Sequence, residues 1–211
     1  MKKYDKIVKN ALGREVPTVV NGVEMPPYKG VGKHIPDGPK HAPRIPSMAN
    51  YPEDGNKLVP SLKEALQKAG LKDGMTISTH HHFRNGDLLA VQIFDIAAEM
   101  GVKDLVWYPS ASFPCHEPLI KHMENGTLHH IEGSMNGPLG KFTSEGNMSG
   151  TGVLRSHGGR YQAVQDGEVQ IDIAVIAAPT ADEFGNAHGL EGDAACGLLG
   201  FALADSQYAY K

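Results

Sequence analysis

The stretch Ile171-Asp172-Ile173-Ala174-Val175-Ile176-Ala177 is a nearly continuous apolar run, and it breaks into Ala178-Pro179-Thr180-Ala181-Asp182-Glu183-Phe184-Gly185-Asn186. A short β-branched run bounded by proline, glycine and Asx residues reads as a strand buried on both faces, as in a parallel sheet. Working outward, Ser61 and Glu64 fit a capping box ahead of Leu62, Ala65, Leu66 and Ala69 at helical spacing, and Gly70 closes that helix. Met75-Thr76-Ile77-Ser78-Thr79 reads as a strand, residues 80–86 as a polar loop, and residues 88–100 as a helix opened by Asp87 and closed by Gly101. That helix is apolar on most sides, so it should be buried. A strand at Leu105-Val106-Trp107-Tyr108, a helix near residues 117–124 and a strand at residues 128–131 follow. Residues 133–160 read as a glycine-rich loop region with one short helix over residues 139–142. The repeated alternation predicts an α/β fold: an open, mainly parallel sheet with helices on both faces.

Residues 1–60 behave differently. Pro26, Pro27, Pro36, Pro39, Pro43, Pro46, Pro52 and Pro60 interrupt any periodicity, so this is a proline-rich N-terminal arm, and residues 61–211 form the α/β domain. An arm of this length suggests docking to a partner subunit or self-association. The chain stops just after the apolar residues 194–204 with no closing strand, which suggests a further domain. Its 211 residues suffice for a core without covalent staples. Twenty Lys and Arg against 24 Asp and Glu give a net charge of −4, which offers no electrostatic case for nucleic acid or an anionic membrane. No run approaches the roughly 20 apolar residues of a membrane span. Cys115 and Cys196 match no metal spacing and read as free thiols, fitting a cytoplasmic protein.

In a parallel sheet, ligands bind beyond the C-terminal strand ends. Two loops qualify by position, residues 80–86 and 178–189. The first places His80, His81, His82, Arg84 and Asn85 just ahead of a helix, where Arg84 can grip a carboxylate with two parallel hydrogen bonds. This suits an acidic substrate or the phosphates of a carrier cofactor. The run Gly146-Asn147-Met148-Ser149-Gly150-Thr151-Gly152 can offer backbone donors to a phosphate or a developing oxyanion, equally well described as a surface loop. Glu145 and Glu183 are the weak candidates for a carboxylate nucleophile toward a thioester. Asp182, Gly185 and Asn186 fit a loop-geometry role, since Asx side chains close turns and glycine permits positive φ. Alternatively, His80 and His82 share a strand face and can ligate a metal with a distant third ligand, giving a hydrolase or isomerase.

The run Thr79-His80-His81-His82-Phe83-Arg84-Asn85-Gly86-Asp87, together with the 178–186 element and the arm residues Ala11-Leu12-Gly13-Arg14-Glu15-Val16-Pro17, resembles the citrate lyase alpha subunit family, a family of citrate CoA-transferases. The Ala-Asp-x-x-Gly-Asn element is shared more widely among CoA-transferases. The resemblance implies a CoA-transferase-like fold (the NagB/RpiA/CoA transferase-like group), with this chain as the first of two such domains. The implied reaction exchanges acetyl for citryl on the thioester of an acyl carrier protein and releases acetate, without a covalent glutamyl intermediate. Implied partners are a beta subunit that cleaves the citryl carrier and the acyl carrier (gamma) subunit, in a homo-oligomeric cytoplasmic complex of citrate fermentation. No cofactor is implied for the chain itself; it would act on the carrier's CoA-derived phosphoribosyl prosthetic group, with acetyl-CoA as a surrogate and no metal. On this reading His80, His81, His82 and Arg84 suit citrate, while Asn147, Gly150 and Gly152 suit the oxyanion or the pantetheine arm. A third expectation is non-catalytic, a docking domain whose proline-rich arm holds a partner.

Overall fold

In a computed structural model of the chain, residues 6–10, 12–20, 22–25, 55–81 and 83–211 are described. Most of the proline-rich arm, and His82, lie outside them. Two antiparallel hairpins come first, β1 (Ile7–Lys9) with β2 (Glu15–Pro17) and β3 (Val19–Val20) with β4 (Val23–Glu24). Then α1 (Leu62–Lys68) starts where the Ser61 hydroxyl accepts the Glu64 amide at 3.2 Å. It stops at Gly70, whose φ of +79° is cheap only for glycine.

The central sheet and its covering helices alternate from there: β5 (Thr76–Thr79), α2 (Leu89–Glu99), β6 (Leu105–Pro109), α3 (Ile120–Glu124), β7 (Leu128–Ile131), α4 (Pro138–Ser144), α5 (His157–Gln165) and β8 (Ile173–Val175). A small hairpin of β9 (Thr180–Ala181) and β10 (Ala187–His188) and a last helix, α6 (Ala202–Tyr208), complete the order. The four long-range strands pair in parallel in the order β7-β6-β5-β8. The strand read over 171–177 is paired only at Ile173–Val175. Just before it, the Asp172 side chain accepts the Thr76 amide at 2.8 Å, and Tyr210 and Lys211 hydrogen-bond along the outer edge at Ile171, Asp172 and Ala174.

Because side chains alternate along a strand, the sheet has two unlike faces. Ile173, Ile77, Trp107 and Ile131 stand side by side in register on one of them. All four belong to the main core with Ile93, Phe94 and Ala97 of α2, which recur at helical spacing. Phe94 meets Trp107 edge to face at 6.3 Å. One residue further along, Ala174, Ser78 and Tyr108 form the next row, on the opposite face. There α5 and α6 pack against each other, and Tyr108 clusters with Val164, Ile171 and Tyr208. Residues 133–160, read as loop with one short helix, contain α4 and the start of α5.

Candidate functional site

The chain leaves β5 toward β6 on one side, while β8 lies on the other, so a crevice opens beyond the strand ends between them. Into it β5 delivers His80 and His81. The loop after β8 contributes not residues 178–189 but Cys196 and residues 198–201. Together with Arg84, Ser110 and His157 these line a cavity of about 350 Å³. A second chamber of about 170 Å³ adjoins it, sharing His81, Ser110, His157 and Phe201 and adding Ser134, Arg155 and Ser156 among others.

Beneath the cleft lies a buried ionic cluster. Arg160 of α5 reaches Asp205 of α6 with both guanidinium ends, Nη1 to Oδ1 at 3.1 Å and Nη2 to Oδ2 at 2.9 Å. Ser78 also hydrogen-bonds Asp205, and His80 Nε2 stands 3.1 Å from the same carboxylate. Arg160 donates further to Tyr108 O at 3.1 Å, while its guanidinium lies 4.4 Å from the Tyr108 ring centroid and 4.8 Å from that of Phe201. A paired, stacked guanidinium is the cation best suited to burial. Burial raises the Asp205 carboxyl, but the hydrogen bonds from His80 and Arg160 and the Arg160 charge outweigh it and bring the pKa down to about 2. Burial drives Tyr108 the other way, to about 12, so it stays a neutral phenol. Its hydroxyl donates to Arg160 O at 3.0 Å, closing the cluster.

His81 is placed by Ser110, whose hydroxyl accepts the His81 amide at 3.1 Å and lies against its Nδ1. Arg84 adopts a left-handed φ of +52° and sits exposed at the cavity wall. His157 stacks on Phe201 with ring centroids 5.8 Å apart. The cleft wall is therefore cationic and imidazole-rich on one side and apolar at Leu198, Leu199 and Phe201 on the other.

His80, His81 and Arg84 are brought together by the structure. The other described candidates line neither chamber. Asn85 accepts the Cys115 amide at 2.9 Å, which ties two loops. Asn147 bonds Glu145 at 3.4 Å, and Glu145 is exposed beside Lys141. Gly150 donates its amide to His129 O, and a Cβ there would come within 2.8 Å of both the His129 and His130 side chains. At Gly152 a Cβ would meet Met135 and Thr143 at 2.9 Å. Glu183 is exposed and takes the Lys57 amide on its carbonyl. Asp182 builds the β9–β10 turn: Oδ1 accepts the amides of Phe184 and Asn186, and Oδ2 accepts the Asn186 side chain at 2.8 Å. These bonds, the Asn186 side chain first, hold its carboxyl below the usual range. Gly185 completes the turn at φ +86°.

Ser110, Arg155, His157, Arg160, Phe201 and Asp205 were not singled out by sequence. Two signals existed: Ser156 ahead of His157 is a helix cap, accepting the Gly159 amide at 3.0 Å, and Asp205 is a lone charge after an apolar segment. Among the described residues no group of three or more His, Cys, Asp or Glu is arranged to hold a metal ion. Cys115 and Cys196 are both free thiols. No helix among the described residues is long and apolar enough to cross a membrane.

The family model "Citrate lyase, alpha subunit (CitF)" matches residues 55–211. The citrate lyase alpha chain of Escherichia coli K12 is 42% identical over 171 residues, 81% of this chain and 33% of the relative. That of Klebsiella pneumoniae is 44% identical over 154 residues, 72% of this chain and 30% of the relative. A crystal structure bearing the name of the citrate lyase alpha subunit from Streptococcus mutans, in complex with citrate, superposes with a TM-score of 0.70 at 42% identity, covering 81% of this chain and 32% of that one. The chain thus spans about a third of the length of the relatives it matches.

Proposed function

Since the chain belongs to the citrate lyase alpha subunit family, we propose that its cleft serves citrate CoA-transfer, the exchange of acetyl for citryl on the thioester of an acyl carrier protein. The observation that carries this reading is the set of groups converging on one crevice, His80, His81, Arg84 and Ser110, with no carboxylate among its described lining residues. Such a wall attracts a carboxylate-rich acid. The Streptococcus mutans relative, of the same fold, is named as a complex with citrate, which supports the same substrate here.

The chemistry needs no nucleophile from this chain. A citrate carboxylate oxygen attacks the acetyl thioester carbonyl, a C–O bond forms, and the carbonyl oxygen becomes an oxyanion. That intermediate collapses with cleavage of the C–S bond, leaving a mixed anhydride and the carrier thiolate. The thiolate then attacks the citryl carbonyl, and acetate leaves with the bridging oxygen. Arg84 orients the incoming carboxylate through its planar fork. Ser110 and His81 are the donors nearest the strand ends for developing negative charge. Leu198, Leu199 and Phe201 shield the thioester from water, without which hydrolysis competes with exchange.

The carrier's CoA-derived phosphoribosyl arm enters this scheme as a substrate, with acetyl-CoA as its surrogate. The beta subunit, the acyl carrier subunit, self-association and a cytoplasmic setting belong to the same proposal. The metal-dependent alternative draws no support from the geometry: His80 Nε2 is directed to Asp205 at 3.1 Å, and no metal-holding group occurs among the described residues.

The test is acyl exchange by the full-length protein with its carrier, using an acetyl thioester and labelled citrate. Labelled citryl thioester should form, and Arg84→Ala should cut kcat/KM for citrate by roughly 10- to 100-fold, the worth of a charge-assisted hydrogen bond, with the circular dichroism spectrum unchanged. Absence of exchange with both carrier and CoA thioesters, from folded protein, overturns the reading.

A further inference from the structure

We infer that the smaller chamber beside the main cleft is a carboxylate-binding subsite, and that Arg155 determines its specificity. This rests on the transferase reading and goes beyond it, because neither Arg155 nor this chamber is needed to state the reaction. Among the described residues that line the chamber, Ser110, Ser134, Arg155, Ser156 and Arg160 carry hydrogen-bond donors and none is a carboxylate. Ser134 Oγ accepts from Asn136 Nδ2 at 3.0 Å, and Ser156 Oγ accepts from the Gly159 amide at 3.0 Å. A hydroxyl that accepts from the protein keeps its own proton to give elsewhere. Arg155 is fixed from behind, Nη2 to Glu132 at 3.3 Å and Nη1 to Glu168 at 3.3 Å. Its Nε is buried with no hydrogen-bond partner among the described residues. A buried, orphaned guanidinium N–H calls for an acceptor. The amide of His157, the first residue of α5 and one that lines this chamber, also stands outside the helix's own ladder of bonds.

Donors predominate among these groups and no carboxylate is among the described lining residues, so the ligand is a small oxyanion. Charge selects which kind. Arg155 is shared between two carboxylates, Glu132 and Glu168, and Arg160 is matched by Asp205, so the chamber has no net positive charge to spare for a dianion. What remains is mostly neutral donors, which suit a singly charged carboxylate better than a phosphate dianion. The 170 Å³ volume suits a small acid rather than a nucleotide-like arm. With the main cleft next door, a second carboxylate of the acid can rest here while the first reaches the thioester. Arg155 would thereby discriminate a polycarboxylate from acetate.

The experiment is calorimetric titration of the full-length protein with citrate, with acetate and with inorganic phosphate, run beside the exchange assay. Arg155→Gln should weaken citrate binding at least roughly tenfold, the scale of a lost charged hydrogen bond, and should leave KM for acetyl-CoA unchanged. Arg155→Lys, which keeps the charge but lacks the Nε–H, should weaken it similarly, and it carries the test if the glutamine variant does not fold. Ser134→Ala should give a smaller loss in the same direction. Wild-type citrate affinity in the folded Arg155 variants, with exchange intact in the parent, overturns the subsite and leaves the function standing. Phosphate binding that is tighter than citrate and dependent on Arg155 overturns the carboxylate assignment. A wild type that neither exchanges nor binds citrate overturns both.

Discussion

Ile77 and Ser78 are neighbours on β5, yet they belong to opposite worlds. Ile77 stands in an all-apolar row with Ile173, Trp107 and Ile131 and packs under α2. Ser78 faces Arg160 and Asp205, a fully desolvated ion pair bounded by Tyr108 and His80. The apolar face is held by nondirectional contacts and dispersion, so a lost methyl is felt locally. The polar face is held by a closed set of hydrogen bonds, in which removing one member leaves another charged and unpaired. The candidate cleft opens at the mouth of the second face, where the fold fixes charged side chains at a crevice.

The sharpest break in this comparison is Asp205→Ala. It strands the Arg160 guanidinium in a site where Asp205 was 0% exposed, which should cost about 3–5 kcal/mol. It should also release His80 and abolish exchange. Urea denaturation of the full-length protein reads the first effect and the labelled-citrate assay the second. A loss of stability below about 1 kcal/mol would mean that the pair is not the keystone of this face.

A middle-sized effect follows from acid. The Asp205 pKa falls from 3.8 to about 2 on folding. A depressed carboxylate contributes stability that is fully present above its unfolded pKa and is lost as pH falls toward its folded one, so the window runs from about 4 down to about 2. The loss there amounts to roughly 2 kcal/mol. Glu132, pulled down first by its hydrogen bond to His130, adds to the same acid slope. Asp205→Asn should be less stable at every pH but lack its part of that slope. Parallel stability-versus-pH curves for the two proteins would contradict the assignment.

The same contrast explains how much could be read from the sequence. The sheet's order of elements and α2 were legible because Ile77, Leu105 and Trp107, and then Ile93, Phe94 and Ala97, obey the two- and near-four-residue periods that apolar burial imposes. The family-specific run His80-His81-His82-Phe83-Arg84-Asn85-Gly86 was legible for a different reason, as a local string. The opposite face was not. In α5, His157–Gln165, two glycines weaken the helix signal and the residue that anchors it inward is Arg160, which composition counts as surface. Its partner Asp205 is 45 positions away, and no local pattern joins two charges across such a distance. The loop at 146–152 was read for ligand donors, whereas Gly150 answers a steric need, the close approach of His129 and His130.

The smallest expected effect sharpens the comparison from the apolar side. Ile77→Val removes one methylene from a side chain that is 0% exposed and shares the core cluster with Ile93, Phe94 and Trp107. The cost should be about 1 kcal/mol, within the range for that exchange in a close-packed interior. It should not vary with pH, because the lost atoms are apolar and lie in the hydrophobic core, and it should leave kcat/KM for citrate at the parent value. The measurement is the denaturation midpoint at neutral pH and again near pH 3, together with one exchange assay. A drop in exchange larger than the drop in stability explains would mean that the two faces are coupled through β5, so that packing under α2 sets the position of His80 three residues further along.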